Sequence, residues 1–269
     1  MSTRHALGQV EATQLLAISA TGGQRGSSFE LQTIHGNHLV EIDSLVFSDP
    51  AIKGQLATSD PLPFSEDRIP KHGHFSVTIP EQVTSGRYEV RAKGRNGLSN
   101  PRAFLVTDYP HETPSSIGHE IDKSTPMALN TFLHAKSTAA AIDFYHLELD
   151  QPSMLYVEIV AQRLDSRMIP AFKIINQKRH LIGSSRGADG VDVSWNSKEP
   201  LQAGKYTLQM NDFIYRGGVE FHYQLVASVQ PIPNLMGDTD PKDGQLPDVW
   251  STRATTQRVQ NQNGGLGEE

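Results

Sequence analysis

Apolar and polar residues alternate with a period of two over most of the chain. The clearest segments are SSFELQT, HFSVTI and RYEVRA in the first half, then MLYVEIV, AFKII and VDVSW in the second. Successive side chains of a strand point to opposite faces, so this pattern predicts half-buried strands. A short apolar run, Leu15 to Ala20, predicts the first of them. The residues expected to face inward are Phe29, Leu31, Phe75, Val77, Ile79, Tyr88, Val90, Ala92, Leu155, Val157, Ile159, Phe172, Ile174, Val191, Val193 and Trp195.

Glycine-rich clusters separate these segments and predict turns: TGGQRG, IHGNH, KHGH, KGRNGLSNP, RGADG and QAGK. The best helical segment, HAKSTAAAIDFY, holds only three alanines in a row (139–141) and runs into a strand expected to begin near Asp143. So short a segment is unstable as an isolated helix, and no helix is predicted there. The chain is therefore expected to be all-β, built from β-sandwiches.

Changes in composition divide the chain. VTDYPHETPSS carries two prolines and no periodicity, and it is interpreted as a linker at 108–116 between sandwiches at 14–107 and 117–229. Residues 1–13 form an N-terminal extension. Residues 230–269 are rich in Pro, Gly, Gln and Asn and too poor in apolar residues to offset the entropy of ordering, which predicts a flexible, disordered tail.

Composition excludes several classes of function. A net charge of −6 argues against a nucleic-acid binder, which would normally be basic. Without cysteine there are no disulfides, thiol nucleophiles or Cys-ligated zinc. No stretch approaches the roughly 20 apolar residues of a membrane helix, so membrane insertion is not expected. The first twenty residues lack the basic and apolar regions of a signal peptide.

The segment YTLQMNDFIYRGGVEFHYQL (206–225) alternates on both sides of a break. We interpret it as a long β-hairpin that closes the second sandwich, with Gly217 and Gly218 supplying positive φ. Asp212 and Arg216 are expected to pair across the loop and hold it. The alternative is that this loop binds a ligand.

Sequence motifs for catalysis are weak. GSSRG (183–187) matches Gly-x-Ser-x-Gly, with Ser185 as the nucleophile, but no helical segment follows to form the elbow. A turn between strands is the preferred interpretation. A hydrolase that uses Ser185 remains a third hypothesis, and no catalytic residue is assigned.

Metal ligands are not predicted either. The histidine pairs His35/His38 and His72/His74 are expected in glycine turns, and neither supplies the three or four ligands that zinc needs. His119, Glu120 and Asp122 form a closer local cluster, in a loop. In the tail, Asp238, Asp240, Asp243 and Asp248 have partly calcium-like spacing, but they are interpreted as a solvated acidic linker. Trp195 is expected in the core, and sugar stacking by Trp195 or Trp250 is the alternative.

Two family resemblances cover roughly residues 14–229. GGQRGSSFELQTIHGNHLVEIDSLVFSD, followed by GRYEVRAKGRNGLSNPRAFLV, resembles a TIG/IPT-type immunoglobulin-like domain. IDFYHLELDQPSMLYVEIVAQRLDSRMIPAFKI, followed by LQAGKYTLQMNDFIYRGGVEFHYQLV, resembles the bacterial pre-peptidase C-terminal domain, a jelly-roll-like sandwich. The order of the pair resembles modules of large exported bacterial proteins.

The resemblance implies a non-catalytic module of the cell envelope or exterior that binds or positions other protein domains or cell-surface polymers. The alternative is an accessory region of a secreted peptidase or other hydrolase whose catalytic part lies on another segment. Some members of the second family bind calcium, and the matching places here hold Glu112, Glu120, Asp122 and Asp143. The acidic-Pro-Asn-Asp opening of the family is replaced by PHETPSSIGHEID, so no metal or other cofactor is assigned and calcium is left open.

Overall fold

The structure, a computed structural model, describes residues 12–39, 41–61, 68–188 and 191–235. Strands dominate these residues, with two short 3-10 turns at Ile121–Lys123 and Gln162–Leu164. This confirms the all-β class predicted from the alternation. Within the described ranges, no helix combines the length and apolar character needed to cross a bilayer. The N-terminal extension and nearly all of the predicted tail lie outside the described residues.

The first sandwich contains nine strands: β1 (Gln14–Ile18), β2 (Gly22–Gln24), β3 (Ser27–Asn37), β4 (Ile42–Phe47), β5 (Lys53–Thr58), β6 (Pro70–Ile79), β7 (Gly86–Gly94), β8 (Gly97–Leu98) and β9 (Arg102–Thr107). They hydrogen-bond in the order β1-β3-β6-β5-β4-β7-β9-β2, with β8 on β7. The N-terminal strands β1 and β2 lie at opposite ends of this order: β1 pairs antiparallel with β3, whereas β2 pairs parallel with β9.

The alternating residues of both walls meet in one core, where Leu31, Phe75 and Val77 face Val90 and Phe104. Phe104 is fully buried and contacts the ring of Phe47 edge-on. The all-β sandwich predicted for the first half is therefore present.

The second sandwich contains ten strands: β10 (His111–Glu112), β11 (Thr125–Pro126), β12 (Phe132–Lys136), β13 (Asp143–Leu149), β14 (Tyr156–Val160), β15 (Pro170–Asn176), β16 (Leu181–Arg186), β17 (Val193–Asn196), β18 (Gly204–Asp212) and β19 (His222–Ser228). One sheet has the order β10-β12-β19-β14-β17 and the other β11-β13-β18-β15-β16. Apart from the two-residue edge strands β10 and β11, the eight strands have the order and antiparallel pairing of a jelly roll.

Strands β18 and β19 do not form the hairpin predicted from the sequence. β18 pairs with β13 and β15, whereas β19 pairs with β12 and β14 in the opposite sheet. The segment 213–221 therefore crosses from one wall of the sandwich to the other. Alternation on both sides of the break arises because Leu208 and Leu225 fill the same core from opposite walls.

The two sandwiches pack together as one compact unit. Alternate residues of β9 face opposite ways: Phe104 lies in the first core, while Leu105 packs outward against β12, β14 and β19. Likewise β19 turns Leu225 into the second core and Val226 toward the first sandwich. Both faces of β19 are therefore covered, and every residue of this strand is buried.

Candidate functional site

The crossover after β18 begins at an ion pair that the sequence predicted. Arg216 Nη2 lies 2.9 Å from Asp212 Oδ1 and its Nε 3.0 Å from Oδ2, and the Asp212 side chain has no exposed surface. The backbone N–H groups of Ile169, Ile214 and Arg216 also donate to this carboxylate. Burial would raise the pKa of Asp212, but these donors hold it below its ordinary value.

The two glycines of the crossover act differently from each other. Gly218 has φ 118°, a conformation that other residues rarely adopt. Gly217 lies so close to the backbone of Thr138 and Ala139 that an added Cβ would overlap it. Backbone bonds from Gly218 N–H to Ser137 O (2.9 Å) and from Ala140 N–H to Tyr215 O (2.9 Å) fix the loop against segment 137–140. These contacts hold the backbone of the crossover in place.

Between these anchors lies an apolar tip, defined here as Phe213, Ile214 and Tyr215. Their side chains are 44%, 62% and 50% exposed. The guanidinium of Arg186 lies 4.3 Å from the centre of the Phe213 ring, a cation–π contact that orients the ring. Three consecutive large apolar side chains are therefore exposed together on a loop whose two ends are held in place.

A concave region lies where the two sandwiches meet. The segment 112–119 lines three adjoining clefts of about 830, 440 and 410 Å³. His119 lines the 830 and 410 Å³ clefts, and His134 lines the 440 and 410 Å³ clefts. Their walls mix hydroxyl, amide and imidazole groups with apolar side chains such as Ile117 and Phe29.

A chain of hydrogen bonds joins the sandwiches beside these clefts. Thr21 N–H points at His134 Nδ1 (3.4 Å), His134 Nε2 lies 2.8 Å from His111 Nδ1, and His111 Nε2 lies 2.8 Å from Thr107 Oγ1. The backbone donor makes His134 Nδ1 an acceptor, so His134 and His111 each carry their proton on Nε2. Both rings are neutral. Burial, together with the proximity of other imidazoles, lowers the pKa of His134 to about 4 and that of His111 to about 2.

A third polar group is buried inside the second sandwich. Tyr145 and Tyr223 share a hydrogen bond of 2.7 Å between their hydroxyls, and Tyr223 donates to Asp143 Oδ2 at 2.7 Å. The other carboxylate oxygen of Asp143 lies 3.2 Å from His119 Nδ1. Burial raises the pKa of Asp143, while Tyr223 and His119 oppose that shift.

The structure does not bring together the four acidic residues at the places that match the resembled family's calcium ligands. Glu120 pairs with Lys123 at 3.0 Å, and Asp122 pairs with Arg179 at 3.3 Å. Asp143 lies in the core, and Glu112 lies on β10 at the edge of its sheet. Among the described residues, no three His, Asp or Glu side chains are placed to hold a metal ion. The acidic tail residues Asp238, Asp240, Asp243 and Asp248, and also Trp250, lie outside the described part of the chain.

The predicted glycine turns hold only in part. His35 lies in β3, paired with Ala17 of β1, whereas His38 lies in the bend after this strand with φ 56°. His72 and His74 lie inside β6, where Gly73 takes φ 79° within the strand. His74 Nδ1 lies 2.6 Å from Glu30 Oε1 on the neighbouring strand.

Ser185 lies within a strand, so the predicted turn at GSSRG is wrong. It occupies edge strand β16 and pairs with Phe172 of β15. Gly183 is required there because a Cβ would come within 2.5 Å of the Trp195 ring. Trp195 is half-buried against the second core and meets the Phe172 ring edge-on at 5.8 Å, as core packing predicts. Val191, in contrast, is 50% exposed and precedes β17.

No protein-family model matches the chain, and no curated protein matches it. Solved structures give weak similarities. SGBP-B of a Bacteroides ovatus mixed-linkage glucan utilization locus, in complex with a mixed-linkage heptasaccharide, has a TM-score of 0.26 at 8% identity, covering 81% of this chain and 77% of that one. The secreted serine protease VesC from Vibrio cholerae has a TM-score of 0.28 at 10% identity, covering 80% and 51% respectively.

A third similarity is to a carbohydrate-binding module of the β-sandwich superfamily. Its TM-score is 0.22 at 9% identity, and the match covers 80% of this chain and 96% of that one. Similarity at this level does not extend to corresponding sites or to function.

Proposed function

We propose that the chain is a non-catalytic binding module of an exported or cell-envelope bacterial protein, and that its apolar tip contacts another macromolecule. The observation that carries this proposal is the exposure of Phe213, Ile214 and Tyr215 directly beside the buried Asp212–Arg216 pair. Exposed apolar side chains in sequence are unfavourable in water unless a partner covers them.

The rigidity of the loop supports a binding role. Ordering a flexible loop on binding costs free energy that reduces affinity. Here that ordering is already complete, because Asp212 accepts five hydrogen bonds from residues 169–216 and segment 137–140 fixes the far end of the crossover. Aromatic rings on a fixed support are typical centres of macromolecular interfaces.

The chemistry of the tip fits the two partner classes expected from the family resemblance. Phe213 and Tyr215 can pack on an apolar protein surface or on the face of a sugar ring, and the Tyr215 hydroxyl can donate a hydrogen bond. Other protein domains and cell-surface polymers are therefore the proposed partners.

The test is a binding measurement with the tip removed. Immobilised protein is exposed to a solubilised bacterial envelope fraction and to a panel of surface polysaccharides, and retained material is quantified. We expect the triple variant F213S/I214S/Y215S to lose at least tenfold in retention. The matched control is Leu98→Ser, because Leu98 is 54% exposed on the first sandwich. Equal retention by the wild type and the triple variant would overturn the proposal.

A further inference from the structure

The contact between the sandwiches combines a small apolar cluster with the polar chain of Thr21, His134, His111 and Thr107, in which His111 is half-buried and the other three are buried. The apolar members come from both sides: Ala103, Leu105, Phe132, Val160, Leu164 and Val226. A third imidazole, His222, is also buried here, with Nε2 3.0 Å from Leu164 O. Gln224 donates to Thr21 Oγ1 at 3.0 Å, while its own side-chain oxygen is buried without a hydrogen-bond donor.

Charged and titratable groups lie on the elements around the two histidines. Glu112 is the next residue after His111 on β10, and Lys136 lies two residues after His134 on β12. Glu30 lines the 440 Å³ cleft with both histidines, and His119 lines the 410 Å³ cleft with His134. Glu30 is paired with His74. On the remaining sides, Arg102 of β9 and Asp165 lie near His222, and the Asp165 carboxylate accepts the Ala103 N–H at 2.6 Å. Among the described residues, neither His111 nor His134 has a hydrogen bond to a carboxylate.

We propose that this contact is an acid-sensitive joint, in which protonation of His111 and His134 separates the two sandwiches while each keeps its own core. The inference goes beyond the proposed binding role and does not depend on it.

The geometry explains why protonation would open the joint. An added proton must sit on Nδ1 of either ring, since both Nε2 atoms already carry one. His134 Nδ1 faces the Thr21 N–H, and His111 Nδ1 faces the Nε2–H of His134. Each added proton therefore places two donors against each other, and it leaves a charge on buried His134 or half-buried His111, which is unfavourable.

The direction of the pH effect follows from proton linkage. In the separated state both rings are in water and titrate near pH 6.5. In the closed state their pKa values are lowered, to about 4 for His134 and about 2 for His111. At pH values between the closed-state and separated-state pKa values, only the separated state binds the protons. The closed state is therefore most stable above about pH 6.5 and loses stability as the pH falls. Uptake of one proton changes the equilibrium constant for separation of the sandwiches about tenfold per pH unit, and uptake of two changes it about hundredfold per pH unit.

The absence of cysteine allows a direct measurement. Leu98→Cys on the first sandwich and Leu181→Cys on the second place two dyes at residues that are 54% and 60% exposed. We expect the energy transfer between them to fall reversibly between pH 6.5 and 4, while far-UV circular dichroism stays constant. Constant transfer down to pH 4, or a loss that coincides with unfolding of both sandwiches, would overturn the proposal.

Substitution separates the histidine chain from other titrating groups. The double variant H111Q/H134Q has amide donors and acceptors at both positions but cannot titrate there. The pH dependence of its separation should therefore correspond to uptake of about two fewer protons. His72→Gln, at an exposed position, is the matched control and should leave the transition unchanged. A double variant with the wild-type transition contradicts the proposal.

The wild-type protein supplies a measurement that does not depend on whether the double variant folds. Nitrogen-15 spectra at pH 7 should show His111 and His134 neutral, with the proton on Nε2. A charged ring, or a proton on Nδ1, contradicts the assignment and with it the joint.

Discussion

Arg216 donates to both carboxylate oxygens of Asp212, and the Asp212 side chain has no surface exposed to solvent. The pair lies where β18 ends and the chain crosses to the opposite sheet. A buried, bidentate ion pair at a crossover fixes the loop through geometry as well as charge. The apolar tip depends on this support.

Asp212→Asn should weaken the protein and loosen the tip. The amide cannot accept from Arg216 at both positions, so we expect a loss of about 2 kcal/mol in the free energy of unfolding, measured by urea denaturation. The matched control is Asp122→Asn, in an exposed pair with Arg179, which should change stability by no more than about 0.5 kcal/mol.

The stabilisation by Asp212 should depend on pH in one direction. Its folded pKa is lowered, so the contribution is complete above the unfolded value of about 4 and is lost as the pH falls through the folded pKa. The difference in stability between wild type and Asp212→Asn should therefore shrink in acid. A difference independent of pH would mean that the charge of Asp212 does not support the loop.

Tyr223→Phe should be costly although it removes a single oxygen. It leaves both the Tyr145 hydroxyl and the Asp143 carboxylate without their shared partner inside the core. We expect a loss of about 2 kcal/mol in the free energy of unfolding. Tyr206→Phe is the control, because its hydroxyl donates only to the carbonyl of Gln202. Equal losses for the two variants would contradict the buried network.

Arg163→Met should expose the cost of two buried carboxylates. Arg163 Nη2 lies 2.7 Å from Glu158 and its Nε 3.0 Å from Asp192, and all three side chains are mostly buried. We expect a loss of about 3 kcal/mol at neutral pH. Arg95→Met, in an exposed pair, is the control and should have little effect.

Acid should partly rescue the Arg163→Met variant. Burial raises the pKa of Glu158, and removing Arg163 raises it further, so the carboxyl becomes neutral as the pH falls. The stability gap to the wild type should therefore narrow as the pH falls toward the raised pKa of Glu158. A gap that widens in acid would contradict this account.

Gly183→Ala should disturb the second core through Trp195. The added methyl overlaps the indole ring, which must move, and overpacking of this kind costs about 1–3 kcal/mol. Stability and tryptophan fluorescence both report the change. Combining Gly183→Ala with Trp195→Leu should cost less than the sum of the two single changes, whereas additive losses would exclude a direct clash. Ser184→Ala, at an exposed position of the same strand, is the control.

Calcium should leave the thermal unfolding midpoint of the protein unchanged. Glu120, Asp122 and Asp143 are each paired with a basic side chain, so no described cluster is ready to take the ion. The measurement is a thermal shift series with calcium and with chelator. A rise of several degrees with calcium would show a site formed by other residues.

Much of the fold could be predicted from alternation. Phe75, Val77 and Ile79 of β6, and Leu155 and Val157 around β14, are buried as predicted. The glycine signals were less dependable, because glycine serves close approach as well as turns. Gly36 lies where a Cβ would overlap the backbone of β1, and Gly183 lies beneath Trp195. The contacting residues, Gln14 and Trp195, are distant from these glycines in the sequence. The need for glycine at the two positions could therefore not be predicted from the sequence.

The candidate sites also differ in how far they could be predicted from the sequence. Asp212 and Arg216 are four residues apart, and their pairing could be predicted because both ends of the contact are local. His111 and His134 were not singled out, although they form the polar centre of the joint. Their partners come from residues 21 and 107, and a histidine in the sequence carries no mark of the neighbour that will bury it.

The sequence by itself determined the all-β class and most of the side chains that face the cores, because the period of a strand assigns each residue to one of two faces. Tertiary structure alone decided what covers each face. β18 and β19 belong to opposite sheets, and the outward side of β19, with Gln224 and Val226, is buried against the first sandwich. Alternation separates two faces of a strand but does not specify their environments, since these depend on segments distant in the chain.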